Sequence, residues 1–202
     1  MIRQLKISQS STNLPWRSAL VALVTAATLA IASPAFAKKV GRTTIPDSVP
    51  IAGSEVPVRG GGLRTRSVFK LYAAGLYTNM SGDGNFVSQA DAPMAIHLRI
   101  LSKLINKNRM VTALKVGFDK STGGDTSAIQ SSIDQMIAAM DKPITTGTTY
   151  TLAYQPDVGT TMTRNGEDAV VIEGLAFKQA LFGIWLGDAP VQARLKKGML
   201  GE

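Results

Sequence analysis

Few side chains of this protein have the chemistry of a catalytic group. Its 202 residues include no cysteine and a single histidine, His97. These counts exclude a disulfide scaffold, a thiolate nucleophile, cysteine-based metal clusters and a site built from several histidines. A serine hydrolase would have to use His97, and the Gly-x-Ser-x-Gly motif that would expose its serine is missing. We therefore predict that His97 is structural and that the protein uses no metal or cofactor.

One arginine and one tyrosine, eight residues apart, flank the start of a predicted strand. The run Gly60-Gly61-Gly62-Leu63-Arg64 favours a turn, because glycine tolerates positive φ. The segment 67–77 is rich in aromatic residues and predicts a central strand. From these patterns alone, Arg64 is a surface residue after a turn and Tyr72 is a core residue of the strand.

A second strand is predicted at 94–100 by strict alternation. One face carries the large apolar side chains, and the other carries Ala95, His97 and Arg99. Such alternation is typical of a strand with one buried face. We therefore expect His97 to face outward.

Helices and strands follow one another in blocks. Apolar residues at helical spacing predict helices over 108–118, 127–140 and 174–185, and a last short helix that begins at 188–190. The methionines of 127–140 are interpreted as core residues and not as metal ligands. Strands at 148–154, 160–164 and 169–172 predict a meander, with Asn165-Gly166 as a type I′ turn. This order predicts an α+β fold with helices packed on an antiparallel sheet.

The N-terminal segment has the three parts of a secretory signal peptide. Basic residues precede an apolar run at 19–32, and the small-x-small sequence Ala35-Phe36-Ala37 follows. The alternative is an uncleaved membrane anchor, but a spanning helix needs about 20 apolar residues and this run is shorter. We predict cleavage after Ala37 and export to the periplasm. The mature chain is then a single domain, 38–202, with an extended lead-in at 38–50.

Part of the positive charge of the chain lies in this N-terminal segment. The whole chain has 22 basic and 14 acidic residues, a net charge of +8. Three basic residues lie before the cleavage site, so the mature chain keeps 19 of the 22 and a net charge of +5. No run of aromatic residues on which bases would stack is interleaved with the basic stretch 99–120. We interpret it as a solvated face and predict no nucleic-acid partner; an anion-attracting surface is the alternative.

Two segments carry a more specific signal. The first has Gly-x-Arg at 62–64 and Lys-x-Tyr-x-x-x-Leu-Tyr at 70–77, and the second is Ile-Trp-Leu-Gly-Asp-x-Pro-Val at 184–191. Together they resemble the bacterial chalcone isomerase-like family, over essentially all of 45–200. The resemblance implies an open-faced β-sandwich, in which one large antiparallel sheet has a layer of helices on one face and a ligand cleft between the two.

The resemblance also implies a ligand site. Plant members of the superfamily cyclise chalcones to flavanones with an arginine that stabilises the attacking oxyanion and with several polar hydrogen-bonding residues. The arginine falls on Arg64, and the polar positions fall on Tyr72, Met110, Gly117 and Ile184, so most of these donors are lost. The fatty-acid-binding branch pairs an arginine and a tyrosine on a carboxylate. This similarity makes Arg64 and Tyr72 the predicted ligand-binding residues, with Arg66 as the alternative to Arg64.

Three hypotheses of function follow. The first, which we predict, is a non-catalytic periplasmic protein that binds a fatty acid or a similar amphipathic anion and has no membrane span after signal cleavage. The second is an isomerase or lyase of a phenolic or enone compound, in which Arg64 and Tyr72 stabilise an oxyanion. The third is an envelope protein-interaction module that docks through the helix layer or through the end that carries Trp185.

Overall fold

The structure, a computed structural model, describes residues 37–202 except for the side chains of residues 168 and 169. Of the predicted signal peptide, all but the last residue lies outside the described residues. The strands are β1 (Ala37–Val40), β2 (Thr43–Pro46), β3 (Ser48–Ile51), β4 (Ser54–Arg66), β5 (Phe69–Tyr77), β6 (Met94–Ile100), β7 (Thr149–Gln155), β8 (Gly159–Arg164) and β9 (Glu167–Ile172). The helices are α1 (Gly84–Gln89), α2 (Lys107–Ser121), α3 (Gln130–Ala139), α4 (Leu175–Leu186) and α5 (Ala193–Leu200).

Strands β3 to β9 form one open sheet of seven strands in chain order, and each pairs antiparallel with the next. The meander predicted at 148–172 is its last part. Asn165 and Gly166 form the turn of that hairpin, with φ values of 54° and 87° that suit a type I′ turn. The helices contribute to a single large core with one face of the sheet. The predicted α+β fold, a large antiparallel sheet with a layer of helices, is confirmed.

The main core lies between this face and the helices. In β6 the predicted alternation holds, since Met94, Ile96, Leu98 and Ile100 are all buried in this core. Helices α2 and α3 add Leu114, Phe118 and Ile133, among others, to the same core. Each such side chain stabilises the fold by about 1.5–3 kcal/mol on burial, so the sheet and the helix layer depend on one another.

The glycine run at 60–62 is part of β4 and is not the predicted turn. None of the three glycines has a positive φ, and the chain turns at Ser67 instead. The reason is close packing on both faces of the strand. A Cβ on Gly60 would overlap the carbonyl oxygen of Gly198 in α5, and a Cβ on Gly61 would lie 2.8 Å from Ile45 of β2. Glycine is therefore required here for its small size and not for its backbone freedom.

The lead-in predicted at 38–50 is extended but folded onto the domain. It forms the β1–β2 hairpin and most of β3. Val40 and Ile45 of the hairpin are buried with Ala73 on the sheet face opposite the helices. The Tyr77 hydroxyl on that face donates a hydrogen bond to the Pro46 carbonyl over 2.7 Å. Part of the second sheet face is thus covered by the N-terminal hairpin.

His97 lies on this second face, as the alternation predicts, but it is buried. Only 8% of its surface is exposed, and its neighbours across the sheet are Gly75 of β5 and Thr151 of β7. Its Nδ1 lies 2.9 Å from the Thr151 Oγ1, within hydrogen-bonding distance. Burial, and secondarily the charge of Arg99, lowers the pKa of His97 to about 4. The histidine is therefore neutral at pH 7 and part of the packing.

The packing of β4 predicts unequal effects of two alanine substitutions. Gly60→Ala is expected to lower the free energy of unfolding by about 3 kcal/mol, because its methyl group meets backbone atoms of α5 that cannot move independently. Gly62→Ala is the matched control, since its Cβ would meet the flexible end of Leu195 at 3.0 Å, and it is expected to cost less than about 1 kcal/mol. Urea unfolding measures both. Equal losses would contradict this account of the strand.

The buried histidine predicts a pH dependence of stability. Its pKa is about 4 in the folded protein and 6.5 ordinarily, so between these values the unfolded state binds more protons. The stabilisation is complete above pH 6.5 and is lost as the pH falls towards 4, by up to about 3 kcal/mol. In His97→Gln, which keeps a polar group beside Thr151, this part of the dependence should vanish. Urea unfolding across this pH range tests it, and parallel curves for the two proteins would contradict it.

Candidate functional site

The structure brings Arg64 and Tyr72 together. They lie directly opposite each other on β4 and β5, just before an irregularity in the strand pairing. Side chains of such a pair leave the same face of the sheet, with Cβ atoms about 4.5–5.5 Å apart. Arg66 lies beyond the irregularity, where it pairs with Phe69 and is exposed. Of the two candidate arginines, Arg64 is therefore the one beside Tyr72.

Two groups accept hydrogen bonds from the Arg64 Nη1, namely the Thr65 carbonyl oxygen and a glutamine that the sequence analysis did not identify. Gln192 precedes α5, and its Oε1 accepts hydrogen bonds from the Thr65 amide at 3.0 Å and from the Arg64 Nη1 at 3.4 Å. Its Nε2 donates to the Thr65 Oγ1 at 3.0 Å. Within the part of the chain that the structure describes, neither the Nε nor the Nη2 of Arg64 donates to another residue. These two N–H groups are available to a ligand.

The position of Gln192 also explains why the last helix begins later than predicted. The sequence predicts a start at 188–190, but α5 begins at Ala193. The preceding residues instead form a connection in which the Val191 amide donates to the Ile184 carbonyl at 2.8 Å. This connection brings Gln192 to the end of β4. No local pattern marks it, because its partners are 127 and 128 residues away in the chain.

The Tyr72 hydroxyl is prepared to donate a hydrogen bond. It accepts one from the Trp185 Nε1 at 3.1 Å, and both residues are buried. Burial raises the pKa of Tyr72, while the bond from Trp185 and the charge of Arg64 oppose that rise. The phenol is therefore protonated at neutral pH and keeps its own proton for a ligand. The burial of Trp185 also means that its side chain is not a docking surface of the kind that the third hypothesis requires.

Trp185 joins this pair to the cleft between the sheet and the helices. The cleft is lined almost entirely by apolar groups, from Leu98, Met110, Leu114, Met136, Met140, Tyr150, Leu152, Met162 and Trp185. Its cavity is about 10 Å³, enough for about one water molecule. In place of the open cleft that the family resemblance implies, the structure has a small void that these side chains nearly fill. Its four methionines have flexible side chains, which can rearrange to admit a larger molecule.

Three positions at which the resemblance implies lost polar residues have apolar surroundings in the structure. Met110 lines the cleft. Gly117 of α2 packs directly against Ile184 of α4, since a Cβ on this glycine would lie 2.9 Å from the Ile184 Cγ2. One donor to a developing oxyanion is worth about 3 kcal/mol of transition-state stabilisation. The side chains of Met110, Gly117 and Ile184 supply no such donor.

A second concavity lies on the opposite face of the sheet. It has a volume of about 440 Å³, opens to solvent and is lined by the exposed cations Arg42, Lys70 and Arg99, among other residues. No carboxylate lines it. Lys70 and Arg99 belong to the same end of the sheet as Arg64 and Tyr72. This end of the domain therefore attracts anions.

A buried lysine, also missed by the sequence analysis, has a structural role. Lys178 of α4 is fully buried, and its Nζ donates to the carbonyl oxygens of Val87, Ser88 and Ala90 at the end of α1. Burial lowers the pKa of Lys178 to about 8. Three carbonyl acceptors use its three protons, so the lysine joins α1 to α4 and is not a free nucleophile.

Two further observations limit the chemistry of residues 37–202. No group of three His, Asp or Glu side chains lies close enough to hold a metal ion within this range. No helix of the described part of the chain has the length and apolar character to cross a membrane.

Comparison with known proteins agrees with the fold and the sequence motifs. The profile of the chalcone isomerase-like family matches residues 37–201. The fold is similar to the crystal structure of an Arabidopsis thaliana fatty-acid binding protein, with a TM-score of 0.63 and 17% sequence identity. The match covers 78% of this chain and 91% of the plant protein. A search of curated proteins found no match. Because the family profile covers the whole described domain, this chain belongs to the chalcone isomerase-like family.

Proposed function

We propose that this protein is an exported, non-catalytic binder of a fatty acid or a similar amphipathic anion, held between the sheet and the helices. The observation that carries the proposal is the pairing of Arg64 with Tyr72 next to an apolar, methionine-lined cleft. A cation and a phenol bind a carboxylate, and the cleft beside them accepts an apolar chain.

The polar end of the ligand is recognised by hydrogen-bond donors of fixed position. Arg64 has two free N–H groups, and such a planar guanidinium binds both oxygens of a carboxylate. Gln192 orients the guanidinium, and Trp185 leaves the Tyr72 proton free. An anion at this place therefore meets donors that have already lost part of their conformational freedom, which lowers the entropic cost of binding.

The apolar end of the ligand takes the place of methionine side chains. Each buried methylene contributes about 0.8 kcal/mol, so a chain of several methylenes offsets the cost of displacing Met110, Met136 or Met140. Thioether side chains repack at low cost because they are unbranched. Binding of this kind requires these side chains to move apart, because the void among them is only about 10 Å³.

The comparison with the plant protein supports this ligand class. That protein is a fatty-acid binding protein, and it shares the fold of this chain. The loss of polar groups at Met110, Gly117 and Ile184 favours binding over isomerisation, since the site has few donors with which to stabilise an oxyanion. The cationic end of the sheet adds long-range attraction for an anion.

A matched pair of arginine variants tests the site. Arg64→Ala in the mature protein is expected to weaken binding of decanoate at least tenfold, because it removes charge-assisted hydrogen bonds to the carboxylate. Arg66→Ala removes the same charge two residues away, where the side chain is exposed, and is expected to change the affinity less than about twofold. Isothermal titration calorimetry measures both.

Three results would contradict the proposal. The first is that decanoate and longer fatty acids fail to bind the wild type. The second is that Arg64→Ala binds as tightly as the wild type, and the third is that the two variants lose affinity equally. Acceleration of chalcone cyclisation above the uncatalysed rate would contradict its non-catalytic part and favour the isomerase hypothesis.

Export is tested by the intact mass of the protein recovered from the periplasm. The wild type is expected to have lost residues 1–37, so that it begins at Lys38 and keeps most of β1. Ala37→Tyr, which places a bulky ring at the small-residue site, is expected to retain the segment. A periplasmic wild type with the mass of the full chain would contradict cleavage after Ala37, and its absence from the periplasm would contradict export.

A further inference from the structure

Two buried polar atoms on neighbouring strands of the sheet lack a hydrogen-bond partner of good geometry. Among the described residues, three buried side-chain atoms have no such partner, namely the Tyr150 hydroxyl, the Thr160 Oγ1 and the Arg164 Nε. Tyr150 and Arg164 are directly opposite on β7 and β8. Buried donors in folded proteins are almost always satisfied, so these two groups are suited to donate to an acceptor that reaches this place.

The Tyr150 hydroxyl belongs to the cleft. Tyr150 is 3% exposed and lines the cavity together with Leu98 and the methionines. Its phenol is the only hydroxyl among the lining residues. A molecule that enters the cleft therefore comes close to this donor.

Arg164 is held so that its Nε stays free. Its Nη2 donates to the Pro143 carbonyl at 2.8 Å, which fixes one side of the guanidinium. The two side chains are close enough to interact, since burial raises the pKa of Tyr150 while hydrogen bonding from Arg164 and its positive charge oppose that rise. The contact does not reach the geometry of a full hydrogen bond. Arg164 approaches the phenol oxygen as a donor, so the Tyr150 proton has no acceptor among the described residues.

This pair repeats the chemistry of Arg64 and Tyr72 at a second place on the same sheet face. Tyr72 lies opposite Ile100 of β6, and Tyr150 lies opposite Leu98, two residues earlier on the same strand. The two tyrosines are thus on β5 and β7, with one strand between them. At about 4.8 Å per strand and about 3.3 Å per residue along the strand, their backbones are about 12 Å apart.

On the basis of the proposed function, we infer that Tyr150 and Arg164 form a second anchor for an acceptor group on the far part of the ligand. Both groups donate hydrogen bonds and one is a cation, so the acceptor they select is anionic. With the first carboxylate on Arg64 and Tyr72, the ligand class is a medium-chain dicarboxylic acid.

Two acids of equal chain length test the second anchor. We expect the wild type to bind sebacate about ten times more tightly than decanoate. Calorimetry on the mature protein measures the ratio of the two dissociation constants. Tyr150→Phe is expected to bring this ratio close to one. The ligand-free Tyr150→Phe protein should melt at the wild-type temperature or above, because the hydroxyl it loses has no partner.

Tyr154→Phe is the matched control, since it removes a phenol from the same face of β7. The Tyr154 hydroxyl donates to the Asp91 Oδ1 at 2.6 Å, so this variant should melt at a lower temperature and keep the wild-type ratio. If the wild type binds decanoate but shows no preference for sebacate, the second anchor is wrong and the proposed function stands. If Tyr150→Phe lowers the melting temperature and keeps the preference, the hydroxyl is structural and the inference is overturned. If neither acid binds, the proposed function itself fails.

Discussion

The close approach of α5 to β4 is the contact on which the arrangement of the site depends. Gly60 and Gly62 have no side chains to separate the strand from the helix, so α5 packs against its backbone. The connection before α5 then reaches the end of β4, where Gln192 binds Thr65 and Arg64. A larger residue at position 60 would displace the helix, and Arg64 would lose its contact with Gln192.

The core between the sheet and the helices combines apolar packing with a few donors at defined places. Tyr72 and Tyr150 reach into it from strands on either side of β6, and each has an arginine directly opposite on the next strand. The surrounding methionines fill most of the space between the sheet and the helices. In the proposed function, the apolar chain of an amphipathic anion is bound by dispersion and desolvation and its charged group by hydrogen bonds.

The sequence patterns predicted strands, helices and turns well where the spacing of apolar residues or the residues of a turn decide the local structure. The alternation in 94–100, the helical stripes after it and the turn at Asn165-Gly166 are all present in the fold. The turn predicted at the glycine run was wrong, because these glycines are selected by the packing of α5 and of Ile45 on β4. The lead-in is extended as predicted, but its own sequence does not show that it packs on the sheet. His97 was assigned to the correct face but not to the correct burial, since the alternation identifies two faces and does not show that the second is also covered.

The sequence by itself determined the order and type of most elements, the family motifs around Arg64 and Trp185, and the absence of cysteine chemistry. These properties depend on residue types and on spacings of a few residues. Only the tertiary structure decided that Gln192 contacts Arg64, that Lys178 is satisfied by the end of α1, and that the Tyr150 hydroxyl and the Arg164 Nε are buried without a partner of good geometry. The physical reason is that such contacts join residues distant in the chain, and their hydrogen bonding depends on how the helices pack on the sheet.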